Sequence, residues 1–302
     1  MEQPPVALLH RDRGVTPRMS RERNEQHLGG QPAPGGAAPV TSLKPRLKDA
    51  GRRLFNWVAG LAILFALWWF GAYLIYINPA TTNFASFGPI PTFEAFPVLW
   101  KQGKIQAAVM TSGERLGLGL LIAIAVGVPI GILLGRSKRF RELSNSPFQL
   151  LRMISPLSWE PIAIIAFASW NGAIVFLIAI ASVWPIVFAT AAGLAKVDPA
   201  WFKVARNLGA KPWHMVKEII LPAILFDILT GIRLALGVGW IVLVPAEFLG
   251  VTSGLGYSIA DARETLSYNH LSAMVLIIGV MGYILDSTCA LLIKYGSYHR
   301  SE

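Results

Sequence analysis

Apolar residues gather in six long runs, and the polar segments between them are strongly biased in charge. The runs extend over about 54–77, 116–134, 149–170, 173–194, 223–249 and 271–293. Each approaches or reaches the ~20 residues that an α-helix needs to cross bilayer hydrocarbon. This pattern predicts an all-α membrane protein with six transmembrane helices. Only Trp170-Asn171-Gly172 separates the third and fourth runs, which predicts a helical hairpin with a tight turn there. The longer stretch between the first two runs contains Pro79, Pro89, Pro91 and Pro97. A short interfacial helix is expected within it, around 93–104.

Charge sets the expected orientation. Of 27 Lys and Arg residues, 21 fall on segments that share a side with the amino terminus and 3 on the opposite side. The positive-inside rule then puts both termini in the cytoplasm. The same bias explains a net charge of +10 without nucleic acid, since no basic stripe with interleaved aromatics occurs. Charged residues make up 15% of the chain, against about 25% in soluble domains. The single cysteine, Cys289, cannot form an internal disulfide, and no Cys/His cluster has metal-ligand spacing. No cleavable signal peptide is expected from the polar, Arg-rich opening residues. Residues 1–50 are rich in Arg, Gly and Pro and are expected to be a disordered basic cytoplasmic tail. Residues 51–300 are expected to form a single transmembrane domain.

The basic loop 196–222 is the most informative segment. Asp198-Pro199 reads as a helix N-cap followed by proline in the first turn. Trp201, Val204, Ala205 and Leu208 follow at helical spacing, and Gly209 ends that helix. A second amphipathic segment, 213–220, leads to Pro222. A helix, a glycine turn and a second helix make a knob of basic and apolar residues suited to a groove on a soluble partner. On pattern alone an ordinary cytosolic connector is the default reading.

The loop resembles the coupling loop of ATP-binding-cassette importer permeases, whose signature reads E-A-A, three residues, G, nine residues, I-x-L-P. Ala205, Gly209, Ile219, Leu221 and Pro222 match it, whereas Lys203 and Val204 stand at its first two positions. Further motifs narrow the resemblance to the nitrate, bicarbonate and sulfonate/taurine type. These are Ser155-Pro156-Leu157-x-Trp159-x-Pro161-Ile162, Ser182-x-Trp184-Pro185, Ala246-Glu247-Phe248-Leu249, Ser253-Gly254-Leu255-Gly256-Tyr257 and Leu285-Asp286. The resemblance runs from about residue 50 to 297.

It implies a type I importer permease fold with a cytoplasmic coupling helix, in a bacterial cell membrane. The implied partners are a second permease copy, two cytosolic ATPase subunits and an extracytoplasmic solute-binding protein. Coupling residues would be Ala205, Gly209, Ala210, Ile219, Leu221 and Pro222. The chain has no G-x-x-x-x-G-K-[ST] phosphate loop. ATP binding and hydrolysis are therefore expected on another chain, with neither cofactor nor metal here.

Ionisable residues at bilayer depth are functional candidates by default. Glu160 lies about 16 Å into the third run at 1.5 Å per residue, bracketed by Pro156 and Pro161. It either lines the solute path, with Ser155, Ser158 and Trp159, or is a structural carboxyl, paired with Arg152 or kept protonated. An ionised Glu160 on the path repels anions and suits a cationic or neutral solute, against the anionic substrates that the resemblance implies. Arg233 is a further path candidate, and a buried ion pair with Asp286 is its structural alternative. Glu247 either helps close the outer gate or faces outside water. Trp184 completes the path candidates, although membrane indoles are more often packing residues. Glycines at 117, 119 and 127–135 are expected to let helices approach closely.

Two other classes fit less well. A stand-alone secondary transporter or channel would need internal repeats and buried ion carriers, and would leave the loop at 196–222 unexplained. An intramembrane enzyme would need a buried nucleophile–base pair or metal set. His10, His27, His214, His270 and His299 all fall outside the runs.

Overall fold

The computed structural model describes residues 44–298. The chain divides into two units at Asn56/Trp57. The bundle and the sites discussed below lie in the second. Of the expected tail, residues 1–43 fall outside the described residues. Residues 44–50 are helical and begin α1, Lys44–Ile77. A 3₁₀ turn, Thr82–Phe87, precedes α2, Pro89–Lys101, where the interfacial helix was expected.

Three helices form the core: α3, Lys104–Arg136; α6, Trp170–Ala195; and α9, Leu221–Gly250. The α3–α6 seam is built on glycine. A β-carbon at Gly119 would lie 2.6 Å from Ile178, at Gly127 3.0 Å from Ile186, at Gly131 2.6 Å from Thr190 and at Gly135 2.9 Å from Leu194. A β-carbon there would displace its neighbour, so the α6 side chains seat directly on the α3 backbone. Gly117 belongs to a different face, with nothing within 4 Å. Each seam partner lies 59 positions further along the chain, so α3 and α6 run parallel. Helix α9 runs antiparallel to them: Gly231 abuts Ala189, Gly239 abuts Ser182, and Ser182 Oγ donates to the Ala235 carbonyl at 3.1 Å. The final long helix, α11, Tyr268–Tyr298, packs on α9 and α2.

Parallel neighbours require the intervening chain to travel back along their full length. Residues 137–169 do so as a broken path. Helix α4, Lys138–Met153, is followed by a 3₁₀ turn, Pro156–Trp159, and by α5, Glu160–Ala166. The continuous span expected over 149–170 is therefore absent. Proline disfavours helical geometry in the residue before it, and the break falls at Ile154 and Ser155, ahead of Pro156, extended at ψ 127° and 130°. Pro161 is tolerated because it falls in the first turn of α5. Among the described residues, five helices are long and apolar enough to cross a membrane: Leu54–Ile77, Lys104–Arg136, Trp170–Ala195, Pro212–Gly250 and Tyr268–Tyr295. The tight turn expected at residues 170–172 is the first turn of α6. Ser169 caps that helix by accepting from Gly172 N at 3.2 Å, so the break lies at 167–169.

The loop after α6 folds as its capping residues predict. Asp198 accepts from Ala200 N at 2.8 Å and opens α7, Pro199–Asn207. Gly209, at φ +78°, closes it. Its N–H donates to the Arg206 carbonyl and the Ala210 N–H to the Ala205 carbonyl, both at 3.0 Å. This pattern satisfies the last carbonyls of a helix. The second segment is not a separate helix ending at Pro222. Helix α8, Pro212–His214, continues through a π turn, Met215–Ile220, directly into α9. Pro222 has no N–H to offer the Glu218 carbonyl, which favours the wider turn.

Candidate functional site

Three sites take shape on this scaffold. The first is the knob at the basic end of the bundle, where α3 and α6 finish. Ala205 and Met215 are buried beneath it, and Arg136 Nη1 reaches Met215 Sδ at 3.2 Å. Phe202, Val216, Ile220 and Leu194 pack together there. The outward face carries Trp201, Val204, Leu208 and Trp213, with Leu208 82% exposed. Lys203, Arg206, Lys211 and Lys217 are exposed among them. Such a surface is apolar enough to bind a protein groove and too charged to enter hydrocarbon. Ala210, Ile219, Leu221 and Pro222 are partly buried behind it.

The second is a cleft of about 480 Å³ between the broken segment, α6 and α9, lined in part by Arg152, Trp159, Trp184, Phe188, Leu234 and Val238. Its wall is aromatic. Phe148 and Trp184 meet edge-on at 5.4 Å, and Trp184 stacks on Phe188 at 6.5 Å. The Arg152 guanidinium lies 5.2 Å over the Phe188 ring, a cation–π contact. Of the path candidates, Trp159 and Trp184 line the cleft. Ser155 is exposed at the hinge beside it, and Glu160 starts α5 outside the lining set. Among the described residues no ion pair joins Arg152 to Glu160.

The third is an ionic network at the opposite end. Arg115 Nη1 donates to Glu247 Oε1 at 2.6 Å, with side chains only 4% and 0% exposed. All the guanidinium donors are used. Nε and Nη2 reach Asn171 Oδ1 at 3.0 and 2.7 Å, Nη1 also reaches the Ser253 carbonyl at 2.8 Å, and Nη2 reaches Ser253 Oγ at 2.9 Å. Glu247 is held further by Ser112 Oγ at 2.8 Å and Gly256 N at 3.0 Å, while Ser112 Oγ accepts from Leu255 N at 2.9 Å. Gly254, at φ +110°, lies against the Glu247 carboxylate with no room for a β-carbon. The network ties α3, α6, α9 and α10, Leu255–Glu264, into one assembly. Glu247 therefore does not face outside water as an interfacial carboxyl. Arg115, Ser112 and Asn171 were not singled out from the sequence. The available signal was a face of α3 carrying Ser112, Arg115 and Gly119 at helical spacing.

Arg233 does pair with Asp286, through Nε at 2.8 Å and Nη2 at 2.7 Å. The pair is not buried in this chain, being 41% and 50% exposed. Among the described residues no group of three or more His, Cys, Asp and Glu is arranged to hold a metal ion.

Comparison with known proteins bears on these surfaces together. The family described as binding-protein-dependent transport system inner membrane component matches residues 127–295. The Bacillus subtilis protein carrying the name of an aliphatic sulfonates transport permease, SsuC, is 34% identical over 85% of this chain and 93% of its own length. The bicarbonate transport system permease protein CmpB of Synechococcus elongatus is 36% identical over 62% of this chain and 67% of its own length. The taurine transport system permease protein TauC of Escherichia coli is 31% identical over 76% and 84%. In fold, the chain is similar to a chain of the MetNI methionine ABC transporter solved in inward-facing conformations. The TM-score is 0.56 at 16% identity, covering 66% of this chain and 98% of that one. With an all-helical membrane bundle and a glycine-hinged knob at its basic end, the chain belongs to the binding-protein-dependent inner membrane component family, the permease subunits of ATP-binding-cassette importers.

Proposed function

We propose that this chain forms half of the solute path of an ATP-driven importer of small anions in a bacterial cell membrane. It works as a homodimer with two cytosolic ATPase subunits and an extracytoplasmic binding protein. The basic end faces the cytoplasm, in line with the charge asymmetry. The knob at 196–222 docks on the ATPase, with Ala205, Gly209, Ala210, Ile219, Leu221 and Pro222 shaping it. ATP is bound by the partner subunit and not by this chain. One observation carries the reading: exposed Trp201, Leu208 and Trp213 stand on a basic knob whose second half continues without a break into α9. A push on the knob is therefore a push on a long membrane helix.

Six crossings follow if the broken segment 137–169 counts as the third, as the parallel run of α3 and α6 supports. Non-helical backbone at bilayer depth is tolerated where it lines a cavity, and the hinge at Ile154–Ser155 borders the aromatic cleft. Ser155, Trp159, Trp184 and Arg152 on that side, with Arg233 nearby, are the path surface. Glu160 flanks it, and Glu247 holds the outer end closed. The substrates named for the relatives, sulfonates, bicarbonate and taurine, all carry an anionic group, and the cation lining the cleft suits one.

The test is co-purification. Leu208→Asp and Trp213→Asp, placed on the exposed face, are expected to abolish recovery of the ATPase subunits while the chain stays monodisperse in detergent. Undiminished recovery of the ATPase with both changes present would sink the docking assignment.

A further inference from the structure

Two arginine–carboxylate pairs among the described residues are built in opposite ways. Arg115 is nine-tenths buried or more, and each of its five N–H donors has an acceptor. Arg233 makes only its two bonds to Asp286. Three N–H donors are left without a partner among the described residues.

Its position makes that costly. Arg233 lies twelve residues in from Leu221 in α9, or about 18 Å at 1.5 Å per residue. Asp286 lies well inside α11. Both keep close to half their side-chain surface uncovered by this chain. A half-covered ion pair with spare donors does not rest against lipid tails, because charge at that depth faces protein or a water-filled cavity. The neighbouring surface indicates which. Thr230, Leu234 and Ile241 are exposed along α9, and nothing stands within 4 Å of a β-carbon at Gly237. These positions share one helical face and flank Arg233. Leu234 also lines the aromatic cleft. The open face beside Arg233 and the cleft are thus continuous.

We propose that Arg233 is the anion-selecting residue of the solute path and that Asp286 is its built-in substitute for the solute. Resting on the permease reading, the assignment names the residue that sees the charge. The carboxylate occupies the guanidinium fork between transport events. A passing anion with two or more oxygens, such as a sulfonate, nitrate or bicarbonate, first takes the spare donors and then the fork. Planar two-point bonding of this kind is what arginine provides and lysine does not. A purely structural pair has no need of an open face or unused donors.

The test reads local anion preference in the assembled transporter and does not depend on knowing the solute. In a Cys289→Ala background, Leu234→Cys is treated with a sulfonate-bearing methanethiosulfonate and with its ammonium-bearing counterpart, each rate normalised to a free thiol. The anionic reagent is expected to be preferred, and preferred more strongly after Asp286→Asn. Adding R233Q/D286N, which removes both charges and leaves net charge unchanged, is expected to lower the preference about tenfold, since the charge-assisted fork is lost. An unchanged ratio with R233Q/D286N would overturn the proposal, as would failure of both reagents to react. Loss of the ATPase subunits from the parent assembly would instead count against the permease reading.

Discussion

Removing the Arg115 guanidinium is expected to be among the most damaging single changes to the bundle. Arg115→Met keeps the aliphatic stem and deletes five donors. Glu247, fully buried, is left with one hydroxyl, Ser112, and one main-chain N–H, Gly256, to support its charge. Asn171 Oδ1 and the Ser253 carbonyl lose their donors as well. Breaking a buried pair from one side costs about 3–5 kcal/mol. At about 2–4 °C per kcal/mol for a chain of this size, the unfolding midpoint should fall by about 6–20 °C. The assay is thermal unfolding of the purified chain in detergent, followed by tryptophan fluorescence. The companion is R115M/E247L, which removes the stranded charge. It is expected to recover most of the loss, because apolar replacement of a whole buried pair is often neutral. A fall of less than about 2 °C for Arg115→Met, or a double variant as unstable as the two singles combined, would refute the reasoning.

Other expectations test the seam, the hinge and the cleft. Gly131→Leu drives a β-carbon to 2.6 Å from Thr190 and 2.7 Å from the Val187 carbonyl. It should destabilise by at least the ~1–3 kcal/mol of an overpacked core. Gly117→Ala meets nothing within 4 Å and should be neutral or stabilising by up to ~1 kcal/mol; equal unfolding midpoints for the two would discredit the seam. Gly209→Val forces a branched residue to φ +78°, a strain of about 1–2 kcal/mol or more. ATP hydrolysis should continue in the reconstituted complex while uptake falls, and preserved coupling would count against the hinge. Glu160→Gln should leave uptake of an anion such as ethanesulfonate within about twofold, since the carboxyl stands outside the cleft lining. A loss beyond about tenfold would return it to the solute route.

Much of this architecture was legible from hydropathy, capping and glycine spacing, because each is a local signal. Asp198, Pro199 and Gly209 announce the knob within twelve residues of chain, and the structure reads them as expected. The Arg233–Asp286 pair was reachable by counting inward from helix ends, but its exposure was not, since a count says nothing of which face a helix turns outward. The run at 149–170 misled for a related reason. Averaged hydropathy passes over the break at Ile154–Ser155, and the restriction that Pro156 puts on Ser155 becomes a break only in context, since Pro129, Pro185 and Pro245 lie inside continuous helices. The Arg115–Glu247 network joins residues 132 positions apart, at the margins of two apolar runs. Nothing local foretells such a meeting, and the glycines make sense only once α9 is placed, with the Glu247 carboxylate against Gly254 and the Val244 carbonyl against Gly256.

The glycine seam has a mechanical corollary. Helices seated this closely from Gly119 to Gly135, about 24 Å at 1.5 Å per residue, with α6 side chains pressed onto the α3 backbone, form one close-packed beam. One end of that beam rests on Met215 and Phe202 of the knob; the other grips Glu247 through Arg115 and Asn171. A tilt imposed at one end is expected to carry to the other, so the knob and the buried network, at opposite ends of the bundle, are expected to move as parts of one rocker.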